Sequence, residues 1–313
     1  MSQATVTAPA STRIPGGRRK RSGNRHGLTG FLFTVPFMVL FLFAFIAPLV
    51  YALYLSLYRE QLVGGNTFVG LDNYTEGLKD SQFIDGITRV ALYMLIQVPP
   101  MLILALVFAL IIDSGKVWFP KLFRVGIFVP YAVPVVIAAL MWGYLYGKDF
   151  GPFADLADAL NRTPINFLSD QLMLFSLANV ATWTYTGYNM VILYAALRAI
   201  PSELYEAAAV DGASAFSTAI HIKLPLLRPA LLLCTIFSVI GSFQLFSEPN
   251  IFYTLAPQVI GKAYTPNLYV YNLAFSDQRL NYAAALSFLL GAVVFVVSFA
   301  VMRASRRQEE ARG

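Results

Sequence analysis

The most regularly spaced polar and small residues of the chain lie at 201–228, between two long apolar stretches. In order, they are Glu206-Ala207-Ala208, three residues, Gly212, nine residues, and Ile222-x-Leu224-Pro225. Pro201 and Ser202 fit a helix start, and Glu206 then lies where the helix dipole favours acids. Small side chains at 207–215 would let another surface approach the backbone closely. The spacing predicts non-covalent docking, although an amphipathic connector on a membrane surface would show the same periodicity.

Groups for covalent catalysis or metal binding are few. The two histidines, His26 and His221, are far apart, and the single cysteine, Cys234, lies inside an apolar run. A His-based metal cluster, a Ser-His-Asp triad or a disulfide framework would need more such residues. The sequence contains no GxxxxGK[ST] phosphate-binding loop. These counts argue against an enzyme, including a membrane-embedded one, and against a nucleotide site on this chain.

The elements that must position the docking segment are predicted to be membrane spans. The chain is 57% hydrophobic and 13% charged, whereas soluble domains carry about 25% charged residues. A helix needs about 20 apolar residues to cross the hydrocarbon core. Six stretches meet that length, at about Leu28–Tyr58, Ile87–Ile112, Phe123–Tyr146, Leu172–Ile200, Pro229–Phe252 and Ala283–Met302. Prolines inside several of them favour kinks. The predicted fold class is an all-α membrane protein with six transmembrane helices.

Basic residues predict the orientation of these spans. The first 27 residues contain six Lys or Arg and no acid, and residues 303–313 add four Arg. The turns after the second and fourth spans carry three each, namely Lys116, Lys121 and Arg124, then Arg198, Lys223 and Arg228. The positive-inside rule places this face, with both termini, in the cytoplasm. The predicted organisation is a disordered basic tail (1–27), a span domain (28–302) that contains segment 201–228, and a second cytoplasmic tail (303–313). The basic residues then indicate topology and lipid contact rather than nucleic-acid binding.

The spacing in segment 201–228 matches the signature loop of bacterial ATP-binding-cassette importer permeases: Glu-Ala-Ala, three residues, Gly, nine residues, Ile-x-Leu-Pro. Every signature position is filled, and the loop falls between spans four and five. Residues 27–57 resemble the first span of the carbohydrate-uptake branch, and "FVGLDNY" at 68–74 resembles its following outer loop. Residues 197–231 are similar to its coupling region. The sequence therefore resembles the maltose, lactose and glycerol-3-phosphate permease subunits.

The resemblance implies a type I importer permease bundle with a cytoplasmic coupling helix, located in the bacterial inner membrane. It implies four partners: a second, different permease, two ATP-binding subunits and an extracytoplasmic solute-binding protein. ATP and Mg would be used by the ATPase subunits, so no cofactor is expected on this chain. The expected coupling residues are Glu206, Ala207, Ala208, Asp211, Gly212, Ile222, Leu224 and Pro225.

A sugar-carrying path should combine aromatic rings with neutral polar groups and few charges, because rings stack on sugar CH faces and amides or hydroxyls bond to sugar hydroxyls. Spans four and five contain such residues, namely Trp183, Tyr185, Tyr188, Asn189, Ser238, Ser242 and Gln244. Resemblance to the maltose permease places Trp183 and Tyr188 at sugar-lining positions. The same rings could instead form an interfacial belt, and the serines could bond back to their own helix. Glu248 is expected near the outer interface, facing the solute-binding protein.

Alternative functions remain open at this point. Glycerol 3-phosphate or another polyol could replace the sugar. A secondary transporter driven by an ion gradient would need ionisable residues buried in the spans and discontinuous helices in two symmetric halves. The centres of the predicted spans contain almost no ionisable residues.

Overall fold

The computed structural model describes residues 25–61 and 65–310. Within these ranges the chain is almost entirely helical, with one short antiparallel hairpin. The helices are α1 (Arg25–Phe41), α2 (Ala47–Ser56), α3 (Asp72–Gly77), α4 (Ser81–Asp113), α5 (Pro120–Ala132), α6 (Val135–Leu145), α7 (Pro152–Ala159), α8 (Met173–Arg198), α9 (Ser202–Val210), α10 (Ala215–Thr218), α11 (Leu224–Leu226), α12 (Arg228–Phe243), α13 (Ser247–Leu255), α14 (Pro266–Phe275) and α15 (Leu280–Glu310). Short π-helical stretches join two pairs of them, at Leu42–Ile46 and Ala219–Lys223. The hairpin strands are β1 (Tyr58–Gln61) and β2 (Gly65–Phe68).

The chain divides into two units, residues 1–51 and residues 52–313. The described part of the first unit is one long apolar helix, formed by α1, a π-helical stretch and the start of α2. Phe37, Phe41 and Phe45 are four residues apart and stack along one side, with ring centroids 6.0 and 5.3 Å apart. This agrees with the predicted first span. The predicted basic tail (1–27) lies outside the described residues, except that α1 already begins at Arg25.

Three helical stretches of the described chain are long and apolar enough to cross a membrane: Phe31–Ser56, Ser81–Asp113 and Leu280–Ala304. Two bent pairs would raise the number to five: α5 with α6, bent by 95°, and Ala215–Leu226 with α12, bent by 64°. Helix α8 covers the predicted fourth span with 26 residues, but it carries several amides and hydroxyls and falls short of the same apolarity. The count of six spans therefore stays a prediction.

The prolines act differently from one another. Pro134 coincides with the sharp bend between α5 and α6, where it is the N-cap residue of α6 and has no N–H to continue the helix. Pro99 and Pro100 lie inside the unbroken α4. The predicted fifth span is interrupted, because α12 ends at Phe243 and a separate helix starts at Ser247.

The core of the second unit is built on the pairing of α4 with α8. Helix α5 reaches α8 at Gly187, where a β-carbon would stand 2.1 Å from the carbonyl oxygen of Ile127. Helix α13 packs on α6 at Gly143, where a β-carbon would meet the side-chain methyl group of Leu255. Small residues at these two contacts therefore set the spacing of the helices that surround the site described below.

Residues 68–74, the predicted outer-loop motif, form a hydrogen-bonded turn after α2. Asn73, which is 1% exposed, donates hydrogen bonds to the carbonyl oxygens of Ser56 (2.9 Å) and Tyr58 (2.8 Å). Gly70 has a φ of +58°, a left-handed conformation that favours glycine. The motif thus closes the turn between the first long helix and α4.

Asp80 joins three helices as the N-cap residue of α4. Its side chain accepts hydrogen bonds from the backbone N–H groups of Gln82 and Phe83 and from the hydroxyls of Tyr269 and Tyr282, both at 2.8 Å. Burial alone would raise the pKa of Asp80, but these four donors outweigh it and lower the pKa. The carboxylate therefore stays ionised and holds α14 and α15 against the start of α4.

Replacing Gly187 with alanine should lower the free energy of unfolding by about 1–3 kcal/mol, because backbone atoms of α5 must move to admit the methyl group. Gly291→Ala is the matched control, since a β-carbon on that helical glycine meets nothing within 4 Å. It should leave stability unchanged or raise it. Thermal unfolding in detergent measures both. Equal effects of the two variants would contradict the close contact of α5 with α8.

Candidate functional site

A cavity of about 420 Å³ opens between α4, α8 and the two interrupted helix pairs, α5–α6 and α12–α13. Tyr131 and Val135 flank the first interruption, and Gln244 and Ser247 flank the second. The complete lining comprises Tyr93, Gln97, Met101, Tyr131, Val135, Ala181, Tyr185, Tyr188, Asn189, Phe237, Ser238, Gly241, Ser242, Gln244, Leu245, Ser247 and Glu248. Backbone interruptions thus bring polar residues from four segments of the chain to one place.

One side of the cavity is aromatic. The ring of Tyr131 stacks on Tyr188, with centroids 4.9 Å apart and planes inclined by 23°. It meets Tyr185 edge-on at 6.0 Å. Such a group of rings offers flat apolar faces together with hydroxyl groups. It suits a ligand with both CH faces and polar substituents.

The other side is polar and almost free of charge. Asn189 is 3% exposed; its Nδ2 donates to the carbonyl oxygen of Tyr185 at 3.0 Å, and its Oδ1 has no partner among the described residues. A buried acceptor without a partner is costly. The Ser242 hydroxyl donates to the carbonyl oxygen of Ser238 at 2.8 Å, so it bonds back to its own helix while it lines the cavity.

Six of the seven residues predicted for the substrate path line this cavity: Tyr185, Tyr188, Asn189, Ser238, Ser242 and Gln244. Trp183 is placed elsewhere, with its ring 5.9 Å from that of Trp142 in an edge-on contact. A role for these residues in substrate binding stays a prediction.

Sequence reasoning missed Tyr93, Gln97, Tyr131 and Ser247. Gln97 carried a signal, since it is an amide inside an apolar run, as Gln244 is. Tyr93 lies four residues before Gln97 on the same face of α4. Glu248 was expected near the outer interface; it is 6% exposed and lines the cavity, in the first turn of α13 after the interruption.

Segment 201–228 forms two short helices joined by a tight turn. Helix α9 ends at Val210, and the N–H groups of Gly212 and Ala213 bond to the carbonyl oxygens of Ala209 (3.1 Å) and Ala208 (2.9 Å). Gly212 has a φ of +72°, so the turn favours glycine at this position. Of the predicted coupling residues, Glu206, Ala207, Asp211 and Gly212 are exposed, Ala208 is buried, and Ile222, Leu224 and Pro225 are half-buried.

A buried ion pair joins this segment to the end of α4. The Lys223 ammonium lies 2.5 Å from Oδ2 of Asp113, with side chains 14% and 6% exposed. The same ammonium lies 4.9 Å from the ring centroid of Tyr205 on α9. Burial and then the Asp113 carboxylate raise the pKa of Tyr205, whereas Arg198 lowers it. The phenol is therefore neutral, and α9 is held to α4 through one cation.

Comparison with known proteins agrees with these features. A family model, "Binding-protein-dependent transport system inner membrane component", matches residues 26–310. The chain is 31% identical over 290 residues to the lactose transport system permease protein of Rhizobium radiobacter, which covers 91% of this chain and 96% of that protein. It is 29% identical to the arabinooligosaccharides transport system permease protein of Bacillus subtilis, over 88% of each chain.

The fold is similar to that of a chain in the crystal structure of the bacterial alginate ABC transporter in complex with alginate pentasaccharide-bound periplasmic protein. The TM-score is 0.78 at 18% sequence identity, over 92% of this chain and 98% of that one. The described architecture is therefore that of an ABC importer permease.

Asp113→Asn should lower the free energy of unfolding by about 3 kcal/mol, because it leaves the buried Lys223 ammonium without its carboxylate. The matched control is Asp277→Asn, which removes an exposed Lys–Asp pair whose side chains are 53% and 42% exposed. That change should cost at most about 1 kcal/mol. Thermal unfolding of the two purified variants gives the comparison. Similar losses would mean that the Lys223 pair contributes no more than a surface contact.

Proposed function

The chain belongs to the family of binding-protein-dependent transport system inner membrane components, and from that premise we propose that it forms, with a second and different permease, the path by which a mono- or oligosaccharide crosses the membrane. Members of this family are transport permease subunits of ABC importers, so the chain is a permease and not an enzyme. The hydrolysis of ATP is assigned to separate subunits.

The observation that carries the sugar assignment is the composition of the cavity. Three tyrosine rings and several amides and hydroxyls line the same cavity. Saccharides present that combination of CH faces and hydroxyl groups. The names of the lactose and arabinooligosaccharide relatives support the same ligand class.

We propose six spans with both termini in the cytoplasm. The first, second and sixth spans are α1–α2, α4 and α15. The third is the bent pair α5–α6, and the fifth is α12 with α13. The fourth is α8, whose Tyr185, Tyr188 and Asn189 line the cavity. The concentration of basic residues at the two ends and after the second and fourth spans supports this orientation.

Segment 201–228 is proposed as the coupling element, with α9 docking on an ATP-binding subunit. Glu206, Ala207, Asp211 and Gly212 are exposed along one short stretch, as docking requires. The expected partners are two ATP-binding subunits and, on the opposite face, an extracytoplasmic solute-binding protein. The alginate transporter with its periplasmic protein supports the last of these.

Two features expected of ion-coupled transporters do occur here: a buried acid, Glu248, and interrupted helices. Neither feature is specific to ion coupling. A carboxylate and the backbone groups freed by an interruption also provide partners for a polar ligand that binds near the midplane of the membrane. Family membership decides for an importer driven by ATP.

Tyr188→Ala should reduce sugar uptake by the reconstituted transporter about 5- to 30-fold, because a lost stacking face removes about 1–2 kcal/mol of binding. Tyr194→Ala is the matched control: it lies on the same helix, outside the cavity lining, with its ring beside Arg124. Uptake should stay within about twofold for that control. Equal uptake by the Tyr188 variant and the wild type would contradict a role of the cavity in the transport path.

Glu206→Lys should abolish uptake while insertion into the membrane is normal, because it reverses the charge at the proposed contact with the ATP-binding subunit. Glu203→Lys is the control, since this second exposed acid of α9 lies outside the signature spacing. Co-purification of the ATP-binding subunits and transport per ATP hydrolysed are the measurements. A Glu206→Lys complex that assembles and transports normally would refute the coupling role.

A further inference from the structure

The cavity contains one ionisable acid and no basic residue. Glu248, in the first turn of α13, is the single carboxylate among the 17 lining residues, and none of them is Lys, Arg or His. No ion pair among the described residues includes Glu248. A buried acid therefore faces the ligand space without a counter-ion in the described part of the chain.

We infer that Glu248 sets the charge class of the substrate, so that the path accepts uncharged or cationic saccharides and rejects those that carry a carboxylate, sulfonate or phosphate. This rests on the proposed function and narrows its ligand class. It disfavours glycerol 3-phosphate, which the sequence left open.

The exclusion of anions follows from what the cavity offers. A bound anion would lose its water and gain no cation from the lining residues of this chain, beside a side chain that shares its sign. An ionised Glu248 therefore adds repulsion between like charges against an anionic ligand, and a neutral side chain at this position would remove that repulsion.

The acceptance of neutral and cationic sugars follows from the same groups. A carboxylate accepts hydrogen bonds at both oxygens, so it can bind two neighbouring hydroxyls of one sugar ring or the ammonium of an amino sugar. Tyr93 and Tyr185 also line the cavity and bring further hydroxyl groups. Neutral and cationic sugars therefore find partners that anions do not.

The test uses three probes that share one ring: glucose, glucosamine and glucuronic acid. Ser238→Cys, in a Cys234→Ser background, places a near-isosteric thiol on the cavity wall, because Ser238 lines the cavity and the native cysteine is buried. The reporter chain is reconstituted with its partner subunits, and protection of the thiol from a maleimide is titrated with each sugar. Omission of the solute-binding protein removes its own selectivity from the result.

Glucose and glucosamine should protect the thiol at concentrations at least tenfold lower than glucuronate. Glu248→Gln should bring glucose and glucuronate within about threefold of each other. Glu203→Gln, an exposed acid on α9, should leave the tenfold difference unchanged. Discrimination that survives Glu248→Gln would overturn the role of Glu248.

Three further outcomes are decisive. Equal protection by all three sugars in the reporter chain would refute the charge selection while leaving a saccharide path intact. Failure of every sugar to protect would refute the saccharide path and the inference with it. If Glu248→Gln does not assemble, the ranking of the three sugars in the reporter chain still tests whether the cavity selects by charge. Glu248→Asp keeps the carboxylate and should preserve that ranking, so a changed ranking in this variant would contradict the role of the charge.

Discussion

The structure depends on one constraint: a helix interrupted inside a membrane protein must find new partners for its freed backbone groups. The interruption after α12 meets this requirement through α14. The Asn267 amide donates to the carbonyl oxygen of Phe243 at 2.7 Å, and the Thr265 hydroxyl donates to that of Leu245 at 3.1 Å. Thr265 is 1% exposed, so this contact is shielded from solvent. Because these carbonyls have partners, the chain can turn between α12 and α13 and aim Gln244 and Glu248 at the cavity.

Helix α4 connects the two proposed functional regions in one unbroken rod. Its last residue, Asp113, binds Lys223 of the coupling segment, and Tyr93 and Gln97 on the same helix line the cavity. If α9 is displaced by an ATP-binding subunit, the ion pair supplies a direct route for that motion to the cavity wall. The Asp80 cap ties the other end of the rod to α14 and α15, which hold the interruption in place.

The sequence predicted the helical class, the first span and six of the 17 residues that line the cavity, because polar groups in apolar runs are costly unless they face a polar space. Ser238, Ser242 and Gln244 were found by that argument, and Gln97 could have been. The position of Glu248 could not be found in this way. A fifth span that is assumed to be continuous from Pro229 places Glu248 at its outer end. The residues around Gln244 contain no sequence signal that predicts the end of a helix there. The break is stabilised by Thr265 and Asn267, about twenty residues later, and such a contact is visible only in three dimensions.

The exposed part of the cavity wall lies along α12 and bears on the proposed pairing with a second permease subunit. Leu233, Phe237, Gly241 and Gln244 are spaced three or four residues apart along α12, and all four are exposed. The first two would tolerate lipid, but an amide facing hydrocarbon is costly unless a polar partner meets it. The stripe leads directly into the cavity, since Phe237, Gly241 and Gln244 are also lining residues. This chain alone therefore leaves one side of the cavity open, and a neighbour with a matching polar wall would close it. The exposed stripe along α12 therefore favours the proposed pairing with a second permease subunit over contact with lipid.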